Sequence, residues 1–258
     1  MVRLRRELAD RLITLAKSIY ASTMLFGVIP FKQNPFWSLS PMLAPMAFLL
    51  FLSVYGISEI VPYALIGGMM SIVVANSITM ESDAAFNRLI LKIDSMFVLT
   101  RGGLIPYAVG LALGNLINAL PGLAVFGVLL WTLVGVNQIW SWMVFLGALT
   151  TTWAIVSMIG YYISTLARDI RDLWVYSPIF TGALSYLPPV FYPLERIPWP
   201  ELRYLAFLSP TTPTARLMQG AAGLVGLSWP ETVLLWLTPL IHAFVIFLLL
   251  HLRLRRPL

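Results

Sequence analysis

Side chains able to perform chemistry are sparse in this sequence. It contains no cysteine and only two histidines. It has no glycine-rich phosphate loop ending in Lys-Ser or Lys-Thr, no paired-histidine metal motif and no serine nucleophile elbow. We therefore expect no catalytic residue, no metal site and no cofactor bound by this chain, and we predict that the protein is not an enzyme.

Five polar or small residues inside apolar runs are the remaining candidates. His242 lies alone in its run, and a proton relay needs a chain of such groups, so a hydrogen bond between helices is favoured. Asn115 and Asn118 either line a transport path or join helices by hydrogen bonds. Gly110 and Gly114 permit close backbone approach, which serves either a dimer seam or packing within one chain.

Composition identifies the medium that surrounds these residues. Hydrophobic residues make up 59% of the 258 residues and charged residues only 11%, whereas about 25% is usual in soluble proteins. The mean hydropathy is +0.84. We predict an all-α integral membrane protein with a single transmembrane domain over residues 1–258. The net charge of +6 then matters through its distribution among loops and does not indicate a nucleic-acid partner.

Six apolar runs approach the ~20 residues that cross a bilayer. The expected transmembrane helices cover residues 36–58, 62–79, 104–134, 139–166, 173–192 and 232–252. Before them, residues 1–34 predict a basic interfacial helix and a turn, with a short helix packed on a partner as the alternative. Residues 193–231 contain two short apolar helices, which either dip into the outer leaflet as re-entrant helices or form a small outer cap.

The polar segment of residues 80–103 is the longest charged stretch between two apolar runs. As one helix it places apolar side chains on one face and polar side chains opposite, namely Phe86, Leu89, Ile90, Ile93 and Phe97 against Arg88, Lys92 and Ser95. This pattern predicts a surface helix on which a soluble partner acts. An ordinary interfacial helix that anchors a loop has the same pattern and remains the alternative.

The basic residues predict the orientation. With six spans and a cytoplasmic N-terminus, only Arg196, Arg203 and Arg216 of the 17 lysines and arginines fall outside. The positive-inside rule favours this arrangement, in which both termini are cytoplasmic and the protein lies in the cell (plasma) membrane. Because such a domain has neither a motor nor ion-coupling charges in its spans, it must borrow energy or conduct passively.

Two stretches resemble the type-two exporter permeases of the ATP-binding-cassette (ABC) class. Residues 91–113 (LKIDSMFVLTRGGLIPYAVGLAL) resemble that family's coupling helix, turn and third span, with Tyr107, Gly110, Ala112 and Leu113 in the matching run. Residues 178–219 resemble its fifth span and outer helices, through the motifs LPPVFYP (187–193) and LSPTT (208–212). The family's usual proline in the turn after the coupling helix is replaced here by Thr100-Arg101-Gly102-Gly103.

The resemblance implies a permease subunit that pairs with a second copy, as a homodimer or heterodimer, and with separate ATPase subunits. ATP and magnesium would bind on those ATPase subunits, and the cargo would be amphipathic, drug-like or lipid-linked. The docking segment would be residues 87–100, with the loop of residues 168–172 as a smaller second contact. The residues expected to meet the ATPase subunit are Arg88, Lys92, Asp94, Met96, Phe97, Arg101, Arg168 and Arg171.

Two other classes of function are weighed against this one. A passive channel or ion-coupled carrier needs a charged or carbonyl-lined path, for which the sequence offers only His242 and scattered amides. An intramembrane enzyme needs a catalytic pair, and none is recognisable.

Overall fold

The apolar runs fold as helices because a membrane interior offers no water to backbone groups, and a helix satisfies those groups within itself. The computed structural model describes residues 2–93 and 103–254. This part of the chain contains no β-strand. Its α-helices are α1 (Val2–Thr23), α2 (Ile29–Gln33), α3 (Ser40–Val54), α4 (Val61–Ile78), α5 (Met80–Leu89), α6 (Leu104–Leu129), α7 (Ile139–Leu166), α8 (Ile170–Ser185), α9 (Pro200–Ala206), α10 (Thr211–Ala221) and α11 (Trp229–Leu254).

Within the described residues, six helical segments are long and apolar enough to cross a membrane, as expected of a multi-pass membrane protein. They are Arg11–Gln33, Pro35–Val54, Ser58–Leu89, Leu104–Val134, Ile139–Leu166 and Trp229–Arg253. Five of them overlap predicted transmembrane helices.

The sixth segment, Arg11–Gln33, differs from the prediction, and the predicted helix over residues 173–192 is not among the six. In its place α8 has only 16 residues, about 24 Å of helix against the ~30 Å of a hydrocarbon core. The Pro188-Pro189 pair follows closely, and proline cannot donate the hydrogen bond that continues a helix.

The direction of each helix can be followed from its contacts. Met70 of α4 accepts a hydrogen bond from Thr152 of α7, and Gly160 lies against the carbonyl of Ile78 further along both helices, so α4 and α7 are parallel. In contrast, Gly68 of α4 meets Phe126 of α6 while the later Ile72 meets the earlier Gly122, so α4 and α6 are antiparallel.

The helix α1 and the helix α3 run in the same direction along α6. A Cβ placed on Gly110 would lie 2.9 Å from the carbonyl oxygen of Ile19, and one placed on Gly114 would lie 2.9 Å from the amide nitrogen of Gly27. Further along α6, Gly122 contacts Met42 of α3. Because α1 and α3 both run in the same direction along α6, they follow the bundle once in succession and do not form an antiparallel hairpin.

The remaining helices complete an alternating bundle. Leu184 near the end of α8 packs with Val74 and Ile78 of α4, while Leu173 near its start packs with Ala85 of α5. Helix α8 is therefore antiparallel to α4 and α5. Helix α11 is parallel to α7, since Trp236 meets Gly147 and Arg253 bonds Thr165. Among the described helices α3, α4 with α5, α6, α7, α8 and α11, taken without the hairpin of α9 and α10, the direction thus reverses five times.

A short helical hairpin, α9 and α10, fits between α8 and α11. The Thr214 hydroxyl near the start of α10 is 2.8 Å from that of Thr152, halfway along α7, and the Thr211 hydroxyl donates to the carbonyl of Leu184 at 2.8 Å. At the other end of α10, the Ala221 carbonyl accepts from Ser141, near the start of α7. The hairpin tip at residues 208–211 therefore reaches the mid-height of the bundle.

Candidate functional site

One end of the bundle carries Arg88, Arg168 and Arg171 of the predicted docking residues, and we call it the basic end. It comprises the end of α5, the turn from α7 to α8 and the end of α11. The Arg88 guanidinium donates to the carbonyls of Ser164 and Ala167, the latter at 2.8 Å. Arg253 donates to the carbonyl of Thr165 at 3.2 Å. The last carbonyls of a helix carry partial negative charge, so two arginines tie α5 and α11 to the end of α7.

The turn from α7 to α8 is set by two aspartates. Asp169 caps α8, and the carboxylate of Asp172 accepts the backbone N–H groups of Arg168 at 3.0 Å and of Asp169 at 3.2 Å. These two hydrogen bonds hold the pKa of Asp172 below its usual value. Arg168 and Arg171 remain exposed on the outside of the turn.

The predicted docking residues fall into three groups. Arg88 is half-buried and engaged with α7, while Lys92, Arg168 and Arg171 are exposed. Asp94, Met96, Phe97 and Arg101 lie outside the described residues. One expectation is wrong: the helix does not continue from Phe86 through Ile93.

Helix α5 ends at Leu89, and Lys92 has a φ of 53°, in the left-handed region that interrupts a helix. The buried and exposed sides of α5 also differ from those that the helical wheel predicted. Leu89 packs against the core, but Phe86 and Ile90 are exposed, while the half-buried Arg88 is turned toward α7. The pattern failed because the carbonyls at the end of α7 attract the arginine that the wheel assigned to a partner.

The glycines of α6 pack within this chain. Gly110 and Gly114 receive α1 and the turn that follows it, so the intrachain alternative describes them. Asn115 is buried and donates to the Asp83 carboxylate at 3.2 Å. Asn118 is half-buried one turn further along the helix.

A buried carboxyl group is the feature that sequence reasoning missed. Glu81 is fully buried, and neither of its carboxyl oxygens has a hydrogen-bond partner. Ser177 of α8 comes close to the carboxyl group but does not meet hydrogen-bond geometry. Asp83, two residues on, is held by Asn115. Both acids belong to the polar segment of residues 80–103, which the pattern predicted as a surface helix, yet no glycine or proline separates them from the apolar helix before them.

Glu81 belongs to a small polar cluster between α4, α5 and α7. The hydroxyls of Ser77 and Ser157 are also buried without partners. Gly160 brings the helices together here, since a Cβ at that position would lie 3.2 Å from the carbonyl oxygen of Ile78 and 3.3 Å from the amide nitrogen of Glu81. Helices α4, α6 and α7 carry no Asp, Glu, Lys, Arg or His to balance the acid.

A groove of about 710 Å³ opens between α8 and α11, with α7 as its floor. Its lining is almost wholly apolar: Ile159, Tyr162, Ile163, Leu166, Tyr176, Phe180, Leu184, Leu208, Pro210, Ile241, His242, Val245 and Ile246. The groove exists because α8 packs against α4 and α5, whereas α11 packs against α7 and α10. His242 closes its far end, with Nδ1 2.9 Å from the carbonyl oxygen of Thr238 and Nε2 3.2 Å from that of Leu208.

Comparison with known proteins identifies no relative of this chain, since no family model matches it and no curated protein is significantly similar.

Proposed function

We propose that this chain is the membrane permease subunit of an ATP-driven ABC exporter, working as a dimer with separate ATPase subunits. The cargo would be an amphipathic, drug-like or lipid-linked molecule, and ATP and magnesium would be held by the ATPase subunits. This proposal rests on the resemblance of residues 91–113 and 178–219 to type-two exporter permeases, together with the geometry of the basic end.

The observation that carries the proposal is the link between the basic end and the bundle. Arg88 of α5 and Arg253 of α11 both donate to the last turn of α7. A force applied to α5 or to the adjoining turn would therefore reach α7, against which α4, α5, α10 and α11 all pack. A permease without a motor of its own needs such a rigid connection at the surface where the motor binds.

The same proposal assigns the finer topology. The basic end faces the cytoplasm of the plasma membrane, as the positive-inside rule favours. Helix α1 is the interfacial helix at that side, because it runs in the same direction as α3 and adds no separate crossing. Helix α8 is the fifth crossing, and α9 with α10 forms a re-entrant hairpin entering from the outer side.

The test is purification of the native complex from its membrane, followed by assay of ATP-dependent transport in vesicles. We expect an ATPase subunit in equal stoichiometry. Two docking variants should reduce transport without loss of folding: Asp94→Lys with Met96→Glu, and Arg171→Glu. Arg196→Glu, an equally exposed arginine on an outer segment, is the control. Full ATP-dependent transport by both docking variants would refute the docking surface, and transport by the isolated chain without an ATPase would refute the proposal.

An ion-coupled carrier is the second candidate, and one observation favours it. Glu81 is a buried acid without a partner, and intramembrane acids of this kind mark ion and proton pathways. If this candidate holds, the purified chain alone moves its substrate down an ion gradient in vesicles, and Glu81→Gln abolishes that movement. If the permease proposal holds, Glu81→Gln leaves an ATP-dependent rate that does not follow the gradient.

A further inference from the structure

The groove between α8 and α11 has the shape of a site for one hydrocarbon chain. It is closed at mid-height by the hairpin tip, where the Leu208 carbonyl faces His242, and it extends toward the basic end as far as Leu166. Its volume lies within the range of ligand pockets in proteins, about 300–1,000 Å³. Its polar lining groups are the two tyrosines and His242, too few to hold a column of water.

The mouth of the groove at the basic end carries a cation with an unused donor. Arg253 bonds the carbonyl of Thr165, next to groove residue Leu166, through one Nη nitrogen. Its Nε–H is buried and has no hydrogen-bond partner. On α11, Arg253 follows the groove residue Ile246 by seven residues, about two helical turns. A chain lying in the groove therefore has its polar end near this guanidinium.

We propose that the groove binds one acyl chain of an anionic phospholipid from the adjacent membrane leaflet, with the lipid phosphate on Arg253. The phosphate pairs with the positive charge of the half-buried Arg253, and it stays at the membrane surface while the chain lies along α7. The nearby turn carries Asp169 and Asp172 as well as Arg168 and Arg171, so the preference for an anionic over a zwitterionic headgroup comes from Arg253. The site adjoins the proposed ATPase-binding surface, but the groove and Arg253 carry the inference without the proposed function.

The test is retention of defined lipids by the full-length purified protein. The protein is loaded with phosphatidylglycerol or with phosphatidylcholine of identical acyl chains, washed in detergent and examined by native mass spectrometry. We expect one phosphatidylglycerol to be retained, with an affinity about fivefold or more above that of phosphatidylcholine, since one arginine near a membrane surface contributes roughly that factor.

Two variants separate the chain from the headgroup. Val245→Phe fills the groove and should abolish retention of both lipids, while Val233→Phe makes the same change on α11 outside the groove and should have no effect. Arg253→Gln should remove the preference for phosphatidylglycerol. Arg203→Gln is its control, because Arg203 also donates to backbone carbonyls but lies in the outer segment.

The headgroup assignment and the groove assignment can each be overturned by one result. Equal retention of the two lipids by the unaltered protein would overturn the headgroup assignment, and retention by Val245→Phe equal to that of Val233→Phe would overturn the groove assignment. If Val245→Phe fails to fold, Ile241→Phe, another exposed groove residue of α11, replaces it and carries the same expectation.

Discussion

At the scale of single residues, charge and burial account for the most unusual positions. Arg216 of α10 has a side chain that is only 11% exposed and lies between two acids. Its Nε donates to Glu231 at 2.9 Å, while its Nη1 is 2.8 Å from Glu195 in a bent arrangement. Burial lowers the pKa of Arg216, but the hydrogen bond to Glu231 and the ion pair with Glu195 outweigh it and raise that pKa. The arginine thus joins α10, α11 and the segment before α9.

The first prediction concerns the stability of this cluster against pH. Burial raises the pKa of Glu195. A hydrogen bond from its own backbone N–H and the interaction with Arg216 lower that pKa by more, so it lies below its usual value. A lowered folded-state pKa favours the ionised form, so the stabilisation is present above the unfolded value of about 4.3 and is lost as the pH falls through the folded pKa. Arg216→Gln should flatten this acid dependence and cost about 1–3 kcal/mol at pH 7.

Denaturation in detergent between pH 3 and 7 measures that effect. Arg196→Gln is the control, because Arg196 pairs with Glu59 at 4.0 Å with both side chains largely exposed. Such a pair contributes about 0–1 kcal/mol. An Arg216→Gln protein with an unchanged acid dependence would contradict the prediction.

The second prediction concerns Glu81. A buried carboxylate without a partner costs several kcal/mol, so removing its capacity for charge relieves the fold. We expect Glu81→Gln, which keeps the shape, to raise the free energy of unfolding by about 1 kcal/mol or to leave it unchanged. Thermal unfolding in detergent is the measurement, and Glu59→Gln at an exposed acid is the control. A loss above ~1 kcal/mol would mean that the charge has a stabilising partner.

At the scale of helices, the sequence predicted where most apolar segments lie but not what their partners are. Gly110 and Gly114 signalled a close contact, but the spacing contains no information on whether α1 or a second chain fills it. Over its described part, residues 86–93, the helical wheel failed because it assumed one continuous helix and could not weigh the carbonyls of α7 against solvent for Arg88. Glu81 was missed because a charged residue at the end of an apolar run looks the same in sequence whether buried or solvated.

The third prediction tests the seam between α1 and α6. Gly114→Ala would place a methyl group 2.9 Å from the Gly27 amide nitrogen and 3.0 Å from its Cα, both backbone atoms that cannot yield as a flexible side chain would. The helices must separate, at a cost of about 1–3 kcal/mol of unfolding free energy.

Gly182→Ala in α8 is the matched control, because nothing lies within 4 Å of the added Cβ. It should stabilise the protein by about 0.5–1 kcal/mol through helix propensity. Thermal unfolding of both variants decides the matter, and equal stability of the two would show that the seam is not closely packed.

At the scale of the whole molecule, the alternation of directions was predictable because each apolar run must reverse to re-enter the membrane. The directions of α3, α4 with α5, α6, α7, α8 and α11 alternate as expected for successive apolar runs, although α8 is not among the six segments that could cross a membrane. The depth of the α9–α10 hairpin was less accessible to sequence reasoning. It depends on contacts of Thr211 and Thr214 with Leu184 and Thr152, residues far away in the chain.

The fourth prediction tests this arrangement in intact cells. The chain has no cysteine, so single cysteines report their own accessibility. Glu59→Cys and Arg196→Cys should react with a membrane-impermeant thiol reagent added outside, whereas Arg168→Cys and Arg171→Cys should react only after the membrane is opened. Labelling of all four from one side would contradict the alternating bundle.

The common direction of α1 and α3 along α6 has a consequence for the order of biosynthesis. The glycines that receive α1 are translated only after α3, α4 and α5, so α1 leaves the ribosome well before its docking partner exists. Until α6 is made, Ile19 and Ser22 of α1, which lie against Gly110 in the folded protein, lack this packing partner. The earliest helix of the chain therefore gains its seam only after α6 is made, whereas α3 and α4 can pair before it.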